Sequence, residues 1–161
     1  THSVPPNEML CFALYSAAHA MQSAYKPLLD PLGLTYPQYL ALSALWAQND
    51  QILGQSVGQI GAALNLESNT LTPLLKRLEQ AGWISRQRAQ GDERQVRITL
   101  TAAGRDLALR AGDIPHCFLN KTTLDVPNGA ALRAALQQLA AALRSNAPLP
   151  AQDPGPNEFD D

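Results

Sequence analysis

The sequence predicts a mainly α chain with a small β-hairpin, and three observations carry that prediction. Apolar residues recur at helical spacing through most of the chain, but between Trp83 and Leu100 the period drops to two. The helix preceding that change pairs a leucine stripe with a small, polar, basic outer face. Eight of the 12 Lys and Arg residues stand between Lys76 and Arg110. Two strands cannot build a sheet core alone. They must lean on the helices as a wing does, which predicts a winged helix-turn-helix.

The 161 residues (17.3 kDa), read as a single chain over 1–161, are enough to bury a core. A hydrophobic share of 45% excludes wholesale disorder. The longest nearly apolar run, Leu10 to Met21, is broken by Ser16 and His19. It falls short of the roughly 18–20 residues a membrane span needs, so no membrane role is expected. Two cysteines and three histidines cannot supply a zinc-finger ligand set, and no cofactor is expected. The first eight residues lack the basic start and apolar run of a signal peptide. A reducing cytoplasm is then the expected compartment, with Cys11 and Cys117 beginning as thiols. Residues 147–161 are Pro-rich and acidic and are expected to be a disordered tail.

Asn7 to about Asp30 reads as a first helix, capped by Asn7 and closed by Pro27, Pro31 and Gly33. Tyr36 to Ala47 is the second, with Thr35 as cap and Pro37 in its first turn. A loop from Asn49 to Gly54 leads to a short third helix, Ser56 to Leu64, stopped by a left-handed Asn65. The fourth runs from about Asn69 to Ala81 and ends at Gly82. Trp83 to Arg88 and Gln95 to Leu100 alternate as strands, with Val96, Ile98 and Leu100 on one face and the turn-rich 89–94 between them. Thr101 caps a fifth helix reaching about Lys121, bent at Ile114-Pro115. Pro127 opens a sixth that ends near Ser145.

On a helical wheel the fourth helix turns Leu71, Leu74, Leu75 and Leu78 inward. Asn69, Pro73, Lys76 and Gln80 fall opposite, flanked by Thr72 and Arg77. Short polar side chains suit base edges and cations suit phosphates. Ser68, Asn69, Thr70, Thr72, Pro73, Lys76 and Arg77 are therefore candidate DNA contacts. Pro73 is tolerable where the helix starts near Asn69, because the first N–H groups have no partner. From Lys76 to Arg110 the bases exceed the acids by four, on a chain of net charge −2. Arg86 and Arg88 join the candidates, as do Asp92 and Arg94 at the hairpin tip. An acid two residues away can aim a guanidinium, and an aimed Arg suits a narrow minor groove. Spacing alone is equally met by an ordinary helical hairpin with a solvated face. Charge distribution favours DNA.

The run Thr70-Leu71-Thr72-Pro73-Leu74-Leu75-Lys76-Arg77-Leu78-Glu79 is followed by Ala81-Gly82, Asp92-Glu93-Arg94-Gln95-Val96-Arg97 and Leu100-Thr101. Together these resemble the MarR-type winged-helix repressors. Leu10-Cys11-Phe12-Ala13-Leu14-Tyr15, Ala24-Tyr25-Lys26-Pro27-Leu28-Leu29 and Gly33-Leu34-Thr35-Tyr36-Pro37-Gln38-Tyr39 make the chain similar, within that family, to the organic-hydroperoxide sensors (OhrR). The likeness covers roughly residues 8–120. It implies a homodimeric repressor of a roughly palindromic double-stranded operator, not an enzyme. Residues 7–35 and 101–146 would supply dimerisation helices and 36–100 the DNA-binding region. It further implies that an organic hydroperoxide oxidises Cys11 and so releases the DNA. Cys117 matches the resolving cysteine of the two-cysteine form, which bridges to Cys11 between subunits. Tyr25 and Tyr36 match the tyrosines that hydrogen-bond the reactive sulfur.

On residues alone, Cys11 lies about four positions into its helix, where backbone N–H groups favour negative charge. No Lys or Arg is near it in sequence. Cys11 and Tyr25 are fourteen residues apart, roughly 21 Å along one helix at about 1.5 Å per residue. If Tyr25 serves Cys11, it must then come from an antiparallel partner subunit, with the first and last helices as the interface. Tyr15 and Tyr39 are expected to pack, and Trp46 and Trp83 to lie in the core. Two other functions stay open: a MarR-type repressor released by a small aromatic ligand, and a thiol peroxidase. The lack of an Arg beside Cys11 counts against the enzyme.

Overall fold

The computed structural model describes residues 4–48, 54–89 and 91–145, without the side chains of 89 and 92–94. The expected acidic tail, most of the loop after the second helix, and the side chains of Asp92 and Arg94 lie outside the described residues. Among the described residues the order is α1 (Leu10–Leu29), α2 (Tyr36–Trp46), β1 (Gln55–Ser56), α3 (Val57–Leu64), α4 (Ser68–Gln80), β2 (Ile84–Ala89), β3 (Asp92–Leu100), α5 (Ala102–Ala111), α6 (Ile114–Lys121) and α7 (Val126–Arg144). The chain divides into two compact units, Thr1–Lys121 and Thr122–Asp161.

In the first unit, α1 starts later than the sequence predicts. Pro6–Glu8 forms a separate 3-10 turn that takes in Asn7, and Met9 is the N-cap with no side-chain bond. Cys11 is thereby the second residue of the helix rather than about the fourth. Pro27 does not end α1, which continues to Leu29 before a 3-10 turn, Asp30–Leu32. The missing N–H of Pro27 withdraws a bond only from the carbonyl of exposed Ser23, four residues back.

Capping fixes the next two helices. Thr35 Oγ1 accepts from the Gln38 N–H (3.4 Å) while Gln38 Oε1 accepts from the Thr35 N–H (2.9 Å). Ser56 and Gln59 repeat that exchange at the start of α3 (3.1 and 2.8 Å). Asn65 ends α3 in the left-handed conformation (φ 54°), and the Leu66 N–H returns to the Gly61 carbonyl at 2.9 Å. A Cβ at Gly61 would stand 2.7 Å from the Leu66 carbonyl oxygen, so glycine is what lets this turn close against α3.

In α4, Leu71, Leu75 and Leu78 are fully buried, as the wheel predicts. The helix begins at Ser68, so Pro73 is its sixth residue and lies past the first turn. The carbonyl left without a partner belongs to Asn69, which is exposed to water. Gly82 (φ 80°) ends the helix, with the Trp83 N–H returning to the Leu78 carbonyl at 3.0 Å.

The expected hairpin is part of a three-stranded antiparallel sheet in the order β1-β3-β2. Gln55 stands opposite Ile98, Ser56 opposite Arg97, and Arg86 opposite Ile98. Buried Gln55 is anchored through Nε2 to the Ala44 carbonyl (3.1 Å). Ile98 and Leu100 are buried and Val96 packs at their edge, which matches the predicted face. Because β3 begins at Asp92, the connector is shorter than the predicted 89–94.

The fifth helix is two helices, α5 and α6, which part at residues 112–113. Pro115 then falls in the first turn of α6, where proline is tolerated, and the break precedes it. Thr101 caps α5 as expected: its Oγ1 accepts from the Gly104 N–H (3.0 Å) and donates to the Gly82 carbonyl (2.6 Å). Trp46 and Trp83 are half-buried at the edge of the core, and Trp46 Nε1 donates to the Gly104 carbonyl (2.9 Å).

In the second unit, Asp125 caps α7 by accepting from the Asn128 N–H (2.8 Å), with Pro127 in the first turn. No residue of α7 is buried. Leu132, Leu136, Leu139 and Leu143 recur at helical spacing along it, and Leu143 is 70% exposed.

Candidate functional site

The exposed side of α4 carries Ser68, Asn69, Thr70, Thr72, Pro73, Lys76 and Arg77, all facing solvent. Thr72 Oγ1 donates to the Ser68 carbonyl (2.7 Å). Arg88 is exposed on β2. Arg86 is placed differently. Its side chain is 26% exposed, with Nη1 3.9 Å from Glu79 Oε2, and its backbone N–H donates to Glu79 Oε1 at 3.3 Å. Strand alternation puts Arg86 on the inward face with Ile84, so it braces the wing against the end of α4.

The positive cluster divides in the same way. Arg105 Nη1 donates to the Leu100 carbonyl (2.8 Å) and Arg110 Nη2 to the Pro31 carbonyl (3.2 Å). Both guanidiniums hold backbone in place. Arg97 was not among the sequence-predicted contacts, yet it lines a groove of about 620 Å³ with the first turns of α3 and α4. Its alternation with Ile98 was the available signal, because that spacing turns it away from the core.

The candidate switch residues separate along α1. Cys11 and Cys117 are free thiols and both are exposed. The rings of Tyr25 and Tyr36 lie 4.9 Å apart, and Phe118, the neighbour of Cys117 in α6, stacks on Tyr25 at 4.6 Å. Tyr39 lies 6.0 Å from Tyr25 and 6.2 Å from Trp46. Tyr25, Tyr36 and the approach to Cys117 thus gather at the C-terminal end of α1, while Cys11 occupies its start.

Burial pushes the Tyr25 hydroxyl up to about 12, helped by neighbouring Tyr36 and Tyr39. Burial likewise raises Tyr36 and Tyr39. All three phenols therefore keep their protons at neutral pH and remain hydrogen-bond donors. Tyr39 is buried as expected, but Tyr15 is 63% exposed, its ring 4.6 Å from His19. Its expected packing partner is not within this chain's described residues. Exposure continues along the start of α1, where Leu10 is 65% and Phe12 46% exposed. Among the described residues no group of three or more His, Cys, Asp or Glu could hold a metal, and no helix is long and apolar enough to cross a membrane.

Residues 23–109 match the SarA/Rot transcriptional-regulator family. The organic hydroperoxide resistance transcriptional regulator of Bacillus subtilis is 45% identical over 134 residues, 83% of this chain and 88% of that protein. The chain is a MarR-family winged-helix transcriptional regulator. This MarR-family chain is also 50% identical over 121 residues to the regulator TtmR of Methylorubrum extorquens; the match covers 74% of the chain but only 60% of TtmR's length. Reduced AbfR bound to DNA superposes on it with a TM-score of 0.71 at 35% identity, covering 84% of this chain and 90% of AbfR. AbfR, a protein of Staphylococcus epidermidis, also matches in a disulfide-formed state, with a TM-score of 0.57 at 36% identity over 84% and 88% of the two chains. These relatives are DNA-binding regulators and not enzymes, which removes the thiol-peroxidase alternative.

Proposed function

We propose that this MarR-family regulator is a homodimeric repressor of double-stranded operator DNA, switched off by organic hydroperoxides through Cys11 and Cys117. One observation carries the reading: α1 runs unbroken from Leu10 to Leu29, with Cys11 at one end and the Tyr25–Tyr36–Phe118 cluster at the other. Fourteen residues of helix separate Cys11 from Tyr25 by roughly 21 Å, so Tyr25 can serve this sulfur only from a partner subunit. Antiparallel pairing of two α1 helices supplies it. The same pairing covers the exposed Leu10, Phe12 and Tyr15. It also sets each Cys11 beside Cys117 of the partner subunit.

The chemistry then takes two steps. The Cys11 thiolate, at the positive end of α1 and facing protonated tyrosine donors, attacks the distal peroxide oxygen. The O–O bond breaks, the alcohol leaves with a proton, and Cys11 becomes a sulfenic acid. The thiolate of Cys117 of the partner subunit attacks that sulfur. An S–S bond forms and water leaves. A disulfide requires Cα atoms about 4.4–6.8 Å apart, and Cys117 is joined through α6 to the ring stacked on Tyr25. Closing the bond therefore pulls on the core around α1 and shifts the two α4 helices. Half-sites about 34 Å apart tolerate little such shift.

On the DNA, Ser68, Asn69, Thr70 and Thr72 meet base edges beside Pro73, while Lys76, Arg77 and Arg88 meet phosphates. Asp92 and Arg94 stand at the wing tip toward the minor groove. The hydroperoxide-named relative of Bacillus subtilis and the disulfide-formed and overoxidised states of AbfR support the redox reading. The direct test is a non-reducing gel after one equivalent of cumene hydroperoxide. A covalent dimer is expected that reverts with dithiothreitol and is lost in Cys11→Ser and in Cys117→Ser. A monomer band throughout contradicts the two-cysteine step.

A further inference from the structure

In the groove between the helix-turn-helix and the wing, the walls formed by the start of α3 and by Arg97 have no role in the reading above. The groove has a volume of about 620 Å³, and its walls include Ser56, Gln59, Ser68, Thr72, Arg86 and Arg97. Sheet register builds it. Arg97 on β3 lies directly opposite Ser56, the N-cap of α3, which sets it beside the start of that helix. Nη1 of Arg97 is 3.5 Å from Oε1 of Gln59, the residue that completes the α3 cap. Among the described residues no carboxylate pairs with Arg97. Arg86 also lines the groove, and its Nε is buried and lacks a hydrogen-bond partner among the described residues. Arg97 and the incompletely satisfied Arg86 thus line one polar groove together with the start of α3. No acid is among the described residues lining that groove.

We propose that this groove is a separate DNA-backbone site that takes one phosphodiester per half-site, with Arg97 as its principal ligand. The inference rests on the DNA-binding part of the reading above and not on its redox part. In a helix-turn-helix the first helix crosses the backbone while the start of the second enters the major groove. The groove is walled by the first turns of both helices and by the base of the wing. A strand of backbone passing from the major groove at α4 to the minor groove at the wing tip must cross between them. Oriented helix N–H groups together with a guanidinium suit a phosphate oxygen. The contact carries no base information, so it positions the repressor and does not select sequence.

Counterion release gives the test. Each phosphate contact contributes about −0.9 to the slope of log affinity against log salt, so a dimer with two such grooves loses about 2 from its slope when both are removed. Fluorescence anisotropy of Arg97→Gln on the operator and on an unrelated duplex, between 50 and 200 mM salt, is expected to show that loss on both duplexes alike. Arg97→Lys keeps the charge and is expected to keep the slope. An unchanged slope in Arg97→Gln, or the same loss in Arg97→Lys, overturns the proposal, the second outcome marking Arg97 as structural. Release by hydroperoxide is measured on the same samples and is expected to persist in Arg97→Gln. Its absence in the wild type would count against the redox switch and leave this site untouched.

Discussion

Cys11→Ser is expected to bind operator as tightly as the wild type and to ignore organic hydroperoxide. The sulfur is exposed at the second position of α1, and none of the buried core depends on it. Serine is close to the thiol in size and its greater polarity is tolerated at an exposed position, so the fold and the DNA face on α4 are unaffected. What serine cannot do is accept oxygen from a peroxide and pass on to a disulfide. Coupling between sites in regulators of this kind is typically about 1–3 kcal/mol, or about 5–150-fold in affinity. In the wild type, that much operator affinity should be lost on peroxide addition and regained on reduction. In Cys11→Ser the change should vanish. Anisotropy on a labelled operator, with and without peroxide, reads both. A serine variant that still lets go of DNA would move the sensing elsewhere and would favour the small-ligand repressor.

Leu75→Ala is expected to give a large loss of stability. Leu75 is 1% exposed, between Leu71 and Leu78 on the inward face of α4, and is one of the largest fully buried side chains of the core. Removing three carbons there leaves a cavity that the surrounding helices fill only in part, at a cost of about 2–5 kcal/mol. Typical total stabilities are about 5–15 kcal/mol, so the variant should unfold at clearly lower urea and lose operator affinity as α4 loosens. Chemical unfolding followed by circular dichroism measures it. A loss below about 1 kcal/mol would mean that this leucine does not anchor α4 to the core.

Much of the fold is legible from residue types with a strong local cause. The leucine stripe of α4, the left-handed Asn65, the Thr35 and Thr101 caps and the inward Val96, Ile98 and Leu100 are all announced by patterns within a few residues, and the structure keeps each of them. The discrepancies come from longer-range competition. β1 is two residues long and exists because β3 lies beside it, so no alternation announces it. Asn7 is a good cap by type, yet Pro6–Glu8 makes its own turn and hands the cap to Met9. Pro27 persists inside α1 because the group it leaves unbonded faces water.

The candidate site shows the same division. The outward face of α4 follows from helical period. The diversion of Arg86 to Glu79 depends on a residue seven positions earlier, on another element. The gathering of Tyr25, Tyr36 and Phe118 draws on α1, on the start of α2 and on α6, which only the tertiary fold brings together. Arg97 was visible as charge but not as a site until register set it beside the start of α3.

The most direct test of the central claim mixes two inactive parents. Cys11→Ser chains retain only the resolving thiol and Cys117→Ser chains only the reactive one. After subunit exchange and treatment with cumene hydroperoxide, the mixture should show a reducible covalent dimer on a non-reducing gel, while neither parent alone shows one. A mixture that stays monomeric on the gel, although exchange is verified and wild type cross-links, would contradict a bridge between subunits.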